Sequence, residues 1–140
     1  MFDMTSRRLS ELNELHELEA AIDLHRHLPT EFCQSYGAET RQVGACHVLM
    51  IPRLGILPFN RIVGLGIGDP ATEELLDEAM ACLARAGTKD FIAQISPLAE
   101  PAQLQTWLHA RGFKRGLGTP KLMRGNEAAR TVPTSMHLEQ

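Results

Sequence analysis

A chain of 140 residues that is 44% hydrophobic and 22% charged has the length and composition of one globular domain with one core. Its formal charge of -3, with no cluster of Lys and Arg beyond Arg7-Arg8, offers nucleic acid or an anionic membrane no electrostatic footprint, so neither is an expected partner. The scattered Cys33, Cys46 and Cys82 fit neither a disulfide framework nor a zinc site. With no signal-like start and no apolar run near the roughly 20 residues of a membrane helix, the expected location is cytoplasmic.

The chain opens on a stretch in which Leu9, Leu12, Leu15, Leu18 and Ile22 are interspersed with Glu11, Glu14, Glu17 and Asp23. That spacing predicts a helix with one apolar stripe, capped by Thr5 or Ser6 and ended by the Leu28-Pro29 step. His25-Arg26-His27 reads as its solvated end rather than a metal site, because residues two apart do not share a helix face. A short second helix, Thr30 to Tyr36, stops at Gly37.

Cys46 to Ile51 and Arg61 to Ile67 are apolar at nearly every position and are separated by a turn from Pro52 to Pro58. They read as an antiparallel pair of central strands covered on both faces by helices. Gly64, Gly66 and Gly68 recur every second residue, which reads as one flat strand face open to close approach. A dinucleotide fingerprint would need glycine where Asp69 stands. Thr72 caps the next helix, Glu73 to Ala86, whose stripe is Leu75, Leu76, Ala79, Met80 and Leu83, and Gly87 sits at its left-handed end. Phe91 to Ser96 is then a strand parallel to the second. Leu104, Trp107, Leu108 and Arg111 share one side of a helix from Gln103 to Gly112, which ends in a Gly112-Phe113 motif. Thr119 to Arg124 reads as a last short strand, and Gly125 to Gln140 as a polar tail or linker. The fold class is therefore α/β, a mixed sheet flanked by helices in the order helix, helix, strand, strand, helix, strand, helix, strand, with a domain over residues 1–124 and a tail over 125–140.

This order resembles the GNAT acetyltransferase superfamily. The segments Arg61-Ile-Val-Gly-Leu-Gly-Ile-Gly-Asp-Pro-Ala-Thr-Glu-Glu74 and Trp107-Leu-His-Ala-Arg-Gly-Phe-Lys114 are similar to the branch in which a degenerate N-terminal GNAT-like half precedes a second half in one long chain. The resemblance implies acetyl-CoA as cofactor and a small-molecule or peptide amine as acceptor. It places the cofactor's pyrophosphate at the turn after the second strand, on the amides of Gly66, Ile67, Gly68 and Ala71, where a helix N-terminus favours an anion.

The same residues depart from the family's pattern. The family's turn is Arg/Gln-x-x-Gly-x-Gly/Ala, whereas Gly66 to Thr72 carries no Arg or Gln, Pro70 has no N–H, and Asp69, Glu73 and Glu74 bring like charge. The tyrosine that protonates the leaving thiolate is replaced by Leu108, and the strand Arg61 to Ile67 holds no carboxylate to act as base. No residue is assigned a catalytic or metal-ligating role. The resemblance thus implies a non-catalytic scaffold half of an acyl-CoA-dependent N-acyltransferase. A self-contained acetyltransferase with an atypical turn and a cofactor-free interaction module stand as alternatives. The expected partner is a second GNAT-like half or a second copy, docked on an edge strand from Cys46 to Ile51 that carries only His47 as a possible charge, or on the tail from Gly125 to Gln140.

Overall fold

The computed structural model describes residues 4–122 together with residues 126 and 128. Helices α1 (Met4–Arg26) and α2 (Thr30–Tyr36) lead into β1 (Glu39–Val43) and β2 (Cys46–Met50). Two short 3-10 turns, Pro52–Leu54 and Leu57–Phe59, precede β3 (Arg61–Val63), followed by α3 (Glu73–Arg85), β4 (Ile92–Ala93) and α4 (Leu104–Ala110). The strands lie in the order β1-β2-β3-β4, antiparallel except for the parallel pair of β3 and β4. The architecture is a mixed sheet with helices, as the apolar runs and helical stripes predict.

The first strand is the main departure. Glu39–Val43 pairs with Cys46–Met50 through a two-residue turn in which Gly44 takes φ of 55°. Cys46–Ile51 is therefore no edge. It lies between β1 and β3, with Val48, Leu49, Met50 and Ile51 all buried. The exposed edge on this side is β1, where Arg41 pairs with Glu39, the kind of charge that natural edge strands carry.

Alternate residues of the central strands feed two cores, as the pleat requires. Cys46, Val48, Met50 and Ile62 pack with Leu76, Ala79, Leu83, Leu104 and Leu108 from α3 and α4. Leu49 and Val63 face the other way, toward Leu18, Ala21 and Ile22 of α1. The α1 stripe differs from the expected one, since Leu9 and Leu15 are 46% and 41% exposed. Steps of three residues fall short of the 3.6-residue turn, so Leu9 and Leu18 stand about 180° apart around the helix. The burying face is Leu18, Ala21, Ile22 and His25. Thr5 and Ser6 lie inside α1 rather than at its start.

Elsewhere the local signals hold. Thr72 Oγ1 accepts from the Leu75 N–H at 3.1 Å, Gly37 and Gly87 adopt left-handed conformations, and the Phe113 N–H bonds to the Leu108 carbonyl while its ring meets Phe91 edge-on. The expected strand from Thr119 is not formed over residues 119–122, and its remaining residues lie outside the described ones, as does nearly all of the expected tail. Buried Asn60 joins β2 to β3, its Oδ1 accepting from the Ile51 N–H at 2.9 Å. Asn60→Ala leaves that amide without a partner and is expected to lower stability by about 1–3 kcal/mol, read as a shift of the urea midpoint at unchanged slope.

Candidate functional site

β3 is shorter than expected, because the glycines end the strand rather than flatten it. Gly64, Gly66 and Gly68 take φ of 77°, 76° and 82°, a region closed to most side chains, so the chain coils away from the sheet after Val63. β3 and β4 pair only at Arg61↔Ile92 and Ile62↔Ala93. Past that point a separate segment closes over the glycine turn. Ser96 to Glu100 folds back, with the Leu98 N–H on Ser96 Oγ at 3.1 Å and the Ala99 N–H on the Ser96 carbonyl at 3.0 Å.

The backbone of Glu100 completes this closure. Its N–H donates to the Gly66 carbonyl at 2.9 Å, and its carbonyl accepts from the Ala71 N–H at 2.7 Å. A Cβ on Gly66 would lie 2.5 Å from the Glu100 carbonyl oxygen and 3.2 Å from the Ala99 Cβ. The absence of a side chain at Gly66 is thus what lets the two backbones meet. The Glu100 carboxylate in turn pairs with Arg7 of α1 at 2.7 Å.

The four residues that the family resemblance names fall around this closure unevenly. Ala71 gives its N–H to Glu100, and Ile67 gives its own to the Gly64 carbonyl at 3.3 Å. Gly66 is buried beneath Ala99 and Glu100, while Gly68 is exposed with open space around it.

The acids near the turn are partly neutralised from α4. Arg111 donates through Nε and Nη2 to the two carboxylate oxygens of Asp77, at 2.5 and 3.0 Å, and through Nη2 to Glu73 at 3.0 Å. These bonds hold the Asp77 carboxyl below its ordinary range and the guanidinium above its own. Asp69 and Glu74 remain exposed. Leu108, where the resemblance would place a tyrosine, is buried against the α3 side of the sheet. Cys46 offers no nucleophile, since burial pushes its thiol up to about 11 and the reactive species is the thiolate.

A second polar cluster lies on the α1 face, and the sequence pattern did not reveal it. Arg61 Nη1 donates to Gln94 Oε1 at 3.0 Å, Gln94 Nε2 donates to Glu17 at 3.0 Å, and Lys121 pairs with Glu17 and, at 2.7 Å, with Glu14. His25, expected at a solvated helix end, is buried, whereas His27 is exposed.

Burial pushes the His25 imidazole down, with Arg61 adding to the effect, and burial likewise pushes His47 down, with Arg26 contributing. Among the described residues, His25 Nε2 and His47 Nδ1 have no hydrogen-bond partner. Both rings therefore favour the neutral form when folded, so protons bind more readily to the unfolded chain. Their contribution to stability is complete above the ordinary value of 6.5 and is lost as pH falls below it. Melting temperature is expected to drop between pH 7.5 and pH 5.5, and the slope should flatten in a His25→Gln variant.

Among the described residues no helix is long and apolar enough to cross a membrane. Comparison of the chain with protein families, with curated proteins and with solved structures finds no match.

Proposed function

We propose that this chain is a GNAT-like scaffold half of an acyl-CoA-dependent N-acyltransferase, with its own pyrophosphate turn sealed and no catalytic group of its own. The observation that carries the reading is the Glu100 backbone, bonded to both Gly66 and Ala71 where the cofactor's pyrophosphate would need the turn. A phosphate ligand at Ala71 would have to displace the Glu100 carbonyl and would meet the negative charges of Asp69 and Glu74, whose like charge opposes it. Leu108 in place of the tyrosine and a short β3 without carboxylates agree with a half that does no chemistry.

The partner is a second GNAT-like half or a second copy, and its place is the open side of β4. Residues 91–96 carry no charged side chain, and among the described residues β4 (Ile92–Ala93) pairs on one side only, with β3. An uncharged strand edge of this kind accepts another strand. Sedimentation velocity over a wide concentration range should show self-association, and a monomer at all concentrations would count against the second copy.

Calorimetry tests the sealed turn. The chain is expected to bind acetyl-CoA weakly or not at all, and a dissociation constant near 1 μM, worth about 8 kcal/mol, would instead favour the self-contained enzyme.

A further inference from the structure

The C-terminal turn of α1, the Pro58-Phe59 turn and the start of β3 enclose a cavity of about 140 Å³, lined by Ala21, Leu24, His25, Pro58, Phe59 and Arg61. It lies at the N-terminal end of β3, the opposite end from the glycine turn.

Two basic side chains border this cavity. His25 is only 9% exposed. Its Nδ1 lies 3.0 Å from the Ala21 carbonyl, and because a carbonyl can only accept, Nδ1 carries the hydrogen. That leaves Nε2 buried and, among the described residues, without a partner. Arg61 spends one donor on Gln94, and among the described residues it forms no ion pair with a carboxylate. Glu17 feels the Arg61 charge but is itself bonded to Gln94 and Lys121.

Buried polar groups are satisfied in the great majority of folded proteins, and a guanidinium fork matches the geometry of a carboxylate. Leu24, Pro58 and Phe59 make the remaining walls apolar, which suits a carbon chain better than a bare inorganic anion. We propose that this cavity binds a small organic carboxylate, with its oxygens on Arg61 and His25 Nε2 and its carbon chain against Leu24, Pro58 and Phe59. Binding takes up one proton from solvent, because Nε2 must gain a hydrogen to donate. The resulting imidazolium keeps its Nδ1–H on Ala21. This site does not depend on the reading of the glycine turn.

The test is a titration of the 15N-labelled chain at pH 6.5 with butyrate and, separately, with inorganic phosphate, following the ring nitrogens of His25. Butyrate should saturate in the millimolar range and move Nε2 toward its protonated shift, with phosphate weaker by roughly fivefold because it gains nothing from the apolar walls. Arg61→Met should weaken butyrate by about tenfold or more. Leu24→Glu does not depend on the core, since Leu24 is 55% exposed, and by placing like charge at the rim it should have the same effect. A response that stays linear without saturating, an affinity unchanged by Leu24→Glu in the folded variant, or phosphate binding as tightly as butyrate would each overturn the proposal.

Discussion

Gly66→Ala is expected to destabilise the chain by about 3 kcal/mol, through left-handed backbone strain and overpacking together. The new methyl would lie 2.5 Å from the Glu100 carbonyl oxygen and 2.9 Å from its nitrogen, and both are backbone atoms that cannot rotate away. Gly68→Ala is the control. Its φ of 82° is equally left-handed, but a Cβ there meets nothing within 4 Å, so only the backbone strain of about 1 kcal/mol applies. Chemical denaturation of the two variants separates the terms, and the difference between them measures how tightly Glu100 seals the turn. Equal losses would mean that the closure is loose enough to yield.

Leu49→Lys is expected to unfold the protein, with a loss above about 4 kcal/mol. Leu49 is fully buried between Ala21, Ile22 and Val63. Its neighbours there, Leu18, Ala21, Ile22 and Val63, are all apolar, so an ammonium among them would be desolvated. Gln42→Lys, on the exposed outer strand, should stay within about 0.5 kcal/mol. The contrast tests the interior position of Leu49 on β2 against the solvent-facing position of β1, since a residue 49 open to solvent would tolerate the lysine. Circular dichroism and urea denaturation of both variants decide between them.

The sequence makes β2 look like an edge because of the composition of its neighbour. Glu39-Thr-Arg-Gln-Val43 contains one apolar residue and buries only Val43 fully, so hydrophobic periodicity is silent, and the strand exists because β2 supplies its hydrogen-bonding partner. Gly44 was the available signal, a two-residue turn placed directly before an apolar β-rich run. Where the pattern is carried by burial, as in α3 with Leu76, Ala79 and Leu83, residues and caps were readable in advance.

The glycine turn shows a different limit. Alternating Gly64, Gly66 and Gly68 permit either a flat strand or a left-handed coil, and the choice depends on Glu100, 34 residues away from Gly66 in the chain. Spacing puts Arg111 on the same helix side as Leu104, Trp107 and Leu108, but its bidentate bond to Asp77 is a tertiary contact that no local pattern encodes. His25 was obscured because its neighbours Arg26 and His27 are solvated, while the helix turns its own ring inward.

Amide hydrogen exchange at Ala71 and Glu100, measured with and without excess acetyl-CoA, tests the sealed turn most directly. The Ala71 N–H lies 2.7 Å from the Glu100 carbonyl, and the Glu100 N–H lies 2.9 Å from the Gly66 carbonyl. Both amides should therefore be protected in the free chain and unchanged by the cofactor. Rapid exchange in the free chain that becomes protected only when acetyl-CoA is added would contradict the account, because it would show a turn kept open for the pyrophosphate.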